Sequence, residues 1–60
     1  MIRITFYVEC MLSRKYQCFS RVLWVRVTEN KIVFEQKDEG IKEYKLKKIS
    51  ELYIVHTPNI

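Results

Sequence analysis

Few residues in this chain have types that could carry covalent chemistry. His56 is its one histidine and Gly40 its one glycine. Nucleophilic catalysis needs a nucleophile, a base and a group that orients the base, all within reach of one another. A single histidine close to the C-terminal end supplies at most a base. One glycine cannot build the glycine-rich loop that cradles phosphates. The chain is therefore expected to have no catalytic residues, no cofactor and no small-molecule substrate.

Cys10 and Cys18 are the next candidates. Their spacing matches no common zinc pattern, which wants two close pairs of ligands. His56 would raise the count only to three, so a metal would need completion across a dimer; no metal site is expected. A disulfide between the two would close the 11–17 segment, but a reducing compartment opposes it. The simplest reading makes Cys10 a small apolar core residue at a strand end and Cys18 part of loop packing.

Residues 11–28 offer a different chemistry, that of recognition. They contain Arg14, Lys15, Arg21 and Arg26, with Tyr16, Phe19 and Trp24 interleaved and no acidic residue. Aromatic planes flanked by cations suit single-stranded nucleic acid, through base stacking and phosphate contact. The same residue types are enriched in protein interfaces, where Trp, Tyr and Arg supply the energetic anchors. Val22, Trp24 and Arg26 fall on one side of a strand pattern, and Arg3 and Tyr7 join them if the first strand lies alongside. Tyr16 completes the candidate partner-binding set. Arg14, Lys15 and Arg21 are candidate contacts for phosphate or an acidic partner. Lys45, Lys47 and Lys48 form a second such group, with Lys42 nearby and Glu43 the one acid among them. A lysine run of this kind is more often a solvated face that discourages edge-to-edge aggregation.

These side chains must be positioned by strands. Residues 2–10 alternate, with Ile2, Ile4, Phe6, Val8 and Cys10 on one side and Arg3, Thr5, Tyr7 and Glu9 on the other, which is the period of a half-buried strand. Residues 11–18 have no clean period and read as a loop. In residues 19–28 the alternation assigns Leu23, Val25 and Val27 to the core and Val22, Trp24 and Arg26 to the opposite face. Thr28–Lys31 reads as a tight turn because Asn30 tolerates positive φ. A strand follows over 31–36, with Ile32 and Phe34 facing one way. Lys37-Asp38-Glu39-Gly40 is the clearest turn, since glycine adopts φ > 0 without steric cost. A further strand spans 41–46. Beyond it, Ile41, Tyr44, Ile49, Leu52 and Tyr53 also fit one helical arc, so a helix over 41–53 competes with a turn at 47–51 and a last strand at 52–55. The strand reading is favoured, and 56–60 read as a loose tail after the last regular element, broken at Pro58.

The expected fold is thus mainly β: a five-stranded meander, or a barrel that resembles the small SH3-like domains in its five short strands and a turn or single helical turn before the last. The alternative is an antiparallel sheet with a C-terminal helix over 41–53. No SH3, Tudor or KOW motif is present, so the resemblance carries no binding residues with it. The expected core holds Ile2, Ile4, Phe6, Val8, Leu23, Val25, Val27, Ile32, Phe34, Leu46 and Ile54.

Length and composition fit a small binding module. Sixty residues make one domain, 1–60. Such a chain buries only about 60% of its unfolded surface, so it leans on a partner, a metal or a disulfide for stability. Its 48% hydrophobic and 13% aromatic content favours folding over disorder. Eleven Lys+Arg against seven Asp+Glu give a net charge of +4, enough to attract nucleic acid or an acidic protein surface. The first residues lack the pattern of a signal peptide, and no apolar run spans a bilayer, so a cytoplasmic protein without membrane contact is expected. A start at Met1 with no leader is expected of a small complete product, of the kind found among accessory regulators and phage or other mobile-element proteins. The expected function is docking onto a protein as a regulator, inhibitor or accessory subunit, with self-association included. The alternative is binding of single-stranded nucleic acid.

Overall fold

A computed structural model describes residues 1–56 of the chain. Five strands make one open antiparallel sheet: β1 (Ile2–Cys10), β2 (Ser13–Val27), β3 (Lys31–Gln36), β4 (Gly40–Lys45) and β5 (Ile49–His56). A single 3-10 turn, Leu46–Lys48, leads into β5. The spatial order is β4-β3-β2-β1-β5. The first four strands run as a meander, and the fifth returns to the free side of β1. Residues 41–53 are therefore strand, turn and strand; the helix alternative is excluded. The loose tail expected at 56–60 does not include His56, which ends β5; residues 57–60 lie outside the described residues. Among the described residues, no helix is long and apolar enough to cross a membrane.

β1 behaves as its alternation demands. Ile2, Ile4 and Phe6 are buried, and Val8 packs against them. Cys10 does not join them; it is exposed, because β1 and β2 run past the core as a protruding hairpin. The segment expected to be a loop, 11–18, is mostly the first third of β2. Its turn is only Met11 and Leu12, between the paired residues Cys10 and Ser13. Met11 has φ 37°, the left-handed conformation such a tight turn requires.

β2 departs most from the sequence reading. It spans fifteen residues and serves two neighbours, β1 along its first two thirds and β3 along its last third. Ile2 pairs with Val22 but Ile4 pairs with Phe19, so β2 carries one extra residue in that interval. Arg21, at φ 56°, sits in it. A second irregularity follows between Val22 and Trp24 against β3. Each bulge shifts the strand's alternation by one residue. The core-facing series becomes Phe19, Val22, Val25, with spacings of three rather than two.

Val22 is consequently 0% exposed, while Leu23 is 49% exposed and Val27 is exposed as well. Strict alternation expects Val22 outside and Leu23 and Val27 inside. A strict period of two cannot anticipate a bulge, which accounts for Val22 and Leu23; Val27 still lies opposite Ile32 on the core side and is exposed because it ends β2.

Gln36 holds the bend in place. Its side-chain amide donates to the Ser20 carbonyl at 3.0 Å, and Lys42 Nζ donates to its Oε1 at 2.7 Å. The Lys37 amide donates to the Arg21 carbonyl at 3.0 Å. Backbone groups displaced by the bulge thus find partners, which explains a buried glutamine in an apolar core. The bend lets distant strands meet. Phe6 on β1 and Tyr44 on β4 lie 5.0 Å apart edge to face, and Phe19 and Phe34 pack beside them.

Candidate functional site

The outer face of the sheet, away from this core, carries the recognition residues. Registers divide them into two clusters. The first lies toward the hairpin. Tyr7 on β1 pairs with Tyr16 on β2, and their rings meet at 5.3 Å. Arg14, two residues before Tyr16 on the same face, places its guanidinium 4.3 Å over the Tyr7 ring. It also pairs with Glu51 at 2.9 Å and with Glu9 at 3.3 Å, and donates to Ser50 at 3.1 Å. Ser50 in turn donates to Glu9 at 2.7 Å. Glu51 reaches this network because β5 bulges there, at φ 53°.

The second cluster lies on β2, β3 and β4. Trp24 pairs with Glu35, which pairs with Ile41. In the next row Arg26 pairs with Val33, which pairs with Glu43. Trp24 is 39% exposed, and its indole N–H donates to Glu35 Oε1 at 2.9 Å. Leu23 and Ile41 are exposed beside it. Ile41 was not among the residues nominated from the sequence. Period-two alternation from Tyr44, which packs against the core, sets Ile41 on the opposite face, so the strand pattern of 41–46 carried its signal.

The nominated partner-binding set is therefore only partly assembled. Trp24 and Arg26 sit together. Tyr7 and Tyr16 sit together, eight residues away along β2, on the order of 25 Å. Arg3 lies between them on the outer face, beside Val55. Val22 does not belong to any surface; its burial removes it from the set. Phe19, read as a stacking aromatic, is also turned inward, against Phe6, Phe34 and Tyr44.

The basic candidates scatter in the same way. Arg14 is neutralised by two acids, whereas Lys15 and Arg21 are exposed elsewhere. Lys42 points to the core side, where it holds Gln36. Lys45 and Lys47 border a shallow depression of about 500 Å³ with Glu29, Asn30, Lys31, Glu43 and Leu46. Lys31 and Glu43 pair there at 3.5 Å. Lys48 belongs to the 3-10 turn but does not line this depression.

The cysteines stand apart. Cys18 pairs with Thr5 on the outer face, while Cys10 pairs with Ser13 at the hairpin end. Five residues of β1 separate these two pairings, about 17 Å of strand. A disulfide needs Cα atoms within about 7 Å, so the 10–18 bridge does not fit this fold. No group of three or more His, Cys, Asp or Glu residues suited to a metal occurs among the described residues.

Comparisons with protein-family models, with curated proteins and with solved structures found no match. The chemistry of the outer face is therefore the guide to what the domain does.

Proposed function

We propose that this chain is a non-catalytic binding module that docks onto a protein through the Trp24 cluster. The observation that carries the reading is the state of Trp24 itself. It is a large aromatic held half-exposed on the outer face, with its indole fixed by Glu35. A side chain already fixed loses little entropy on binding, so its burial goes more fully into affinity. Leu23 and Ile41 extend the apolar area, and Arg26 adds a cation with no partner among the described residues. Trp and Arg are the residues that most often anchor protein interfaces. The matching surface on the partner is apolar with a carboxylate placed for Arg26.

The acids on this face favour a protein over nucleic acid. Glu35 and Glu43 lie within the Trp24 cluster, and Glu9 and Glu51 occupy Arg14. Carboxylates among the aromatics repel phosphates that would have to pass close by.

The test is affinity capture from cells of the source, with Trp24→Ala and Arg26→Glu variants whose folding is verified by circular dichroism. A partner retained by the wild type at high salt and lost by both variants is the expected result. Equal capture by all three proteins rejects the site. A labelled single-stranded oligonucleotide is titrated in parallel at low salt. Binding that weakens steeply with ionic strength through counterion release would replace this reading with the nucleic-acid one.

A further inference from the structure

The two edges of the sheet are built differently. β4, Gly40–Lys45, presents Lys42, Glu43 and Lys45, the charged pattern that blunts an edge against strand pairing. β5 presents Leu52-Tyr53-Ile54-Val55-His56, with no Asp, Glu, Lys or Arg. An apolar edge strand without charges is a template for pairing with another strand. Yet β5 pairs only with β1, and among the described residues nothing pairs with its other side. Tyr53 and Val55 are exposed on the outer face. Ile54 faces the core side, opposite the buried Ile4, and is still 40% exposed.

We infer that β5 pairs antiparallel with β5 of a second copy, joining two sheets into one of ten strands. Three features select a second copy over an unrelated strand. The run is self-complementary, so a two-fold axis closes the assembly and leaves open the charged β4 edges and the free side of the first part of β2, which carries Arg14 and Lys15. No charge lies between the paired segments, although each copy carries a net +4. One copy's core has only six buried apolar side chains among the described residues, and continuing the sheet covers the side of Ile54 that it leaves open.

The register follows from the backbone. The bulge at Glu51 ends the regular edge, so the pairing run is Leu52–His56, and its midpoint is Ile54. A two-fold axis there keeps core side with core side. It sets Ile54 against its own copy, Tyr53 against Val55 of the other chain, and Leu52 against His56 of the other chain. This pairing involves the purified protein alone and is independent of what docks at Trp24.

Sedimentation from about 5 µM to about 500 µM reads the association directly. The expected species at high concentration has twice the monomer mass of 7.4 kDa. Val55→Lys places a charge against Tyr53 of the other chain and weakens the dimer at least about tenfold. Added salt leaves the dimer intact or tightens it by screening the two positive chains. Ile54→Cys, with Cys10 and Cys18 replaced by Ser, is expected to form an interchain disulfide under mild oxidation, because facing residues in antiparallel strands lie about 5 Å apart at Cα. Ile41→Cys on the β4 edge, in the same background, stays unlinked. A monomer throughout the concentration range overturns the inference. So does a dimer in which Ile54→Cys links no better than Ile41→Cys, a result that stands even if Val55→Lys fails to fold.

Discussion

The reversal of Val22 and Leu23 gives the sharpest quantitative test of this fold. Alanine at Val22 removes two methyl groups from a fully buried side chain. Their transfer is worth about 1.6 kcal/mol at about 0.8 each. A residual void of about 40 Å³ adds about 1 kcal/mol at about 24 cal/mol per Å³. The expected loss is about 2–3 kcal/mol. Leu23→Ala removes three carbons from a side chain that is half exposed. About half of their transfer value is lost, and water fills the space, so the loss is about 1 kcal/mol. A domain of 60 residues has a total stability of about 3–9 kcal/mol, so the first change takes a large share and the second a small one. In thermal terms the drop is about 8–24 °C for Val22→Ala and about 4–8 °C for Leu23→Ala. Urea unfolding, followed by Trp24 fluorescence and circular dichroism at one fixed low protein concentration, measures both. Unchanged m-values keep the comparison one of stability. If Leu23→Ala proves the costlier, β2 keeps an unbroken alternation and the bulge reasoning is wrong.

Two further predictions test the backbone and the thiols. Arg21→Gly is expected to be neutral or stabilising by up to about 1 kcal/mol, since the left-handed conformation strains any residue with a Cβ. In a regular extended strand the same change would instead destabilise by roughly that amount, so the sign of the shift in urea midpoint decides. Mild oxidation of the wild-type protein should yield no intrachain Cys10–Cys18 bridge, as read by non-reducing electrophoresis and intact mass. Formation of that bridge without loss of native circular dichroism would contradict the β1–β2 register.

Much of this protein was determined by its sequence alone, wherever a local pattern had one physical outcome. The alternation of residues 2–10 made β1, with Ile2, Ile4 and Phe6 inward. Ile32 and Phe34 are buried as their strand required, and the turn before Gly40 falls where a residue at φ 86° was needed. β-branched Ile54 and Val55 favoured the last strand over a helix, and the mainly β fold followed. What the tertiary structure alone decided begins at Arg21. A bulge is stabilised by partners elsewhere in the chain, here Gln36 and Lys42, so its position is invisible to a count of alternating residues. It moved Val22 into the core and brought Leu23 out, while pairing with β1 made strand of residues 13–18, whose own pattern has no clean period. The charge pattern changed for the same reason. Residues 11–28 contain no acid, but the β1 and β5 registers bring Glu9 and Glu51 to Arg14, and β3 brings Glu35 to Trp24. The stretch that looked uniformly basic in one dimension is a mixed surface in three. Coulomb energies depend on distance through space, and only the strand pairing sets that distance.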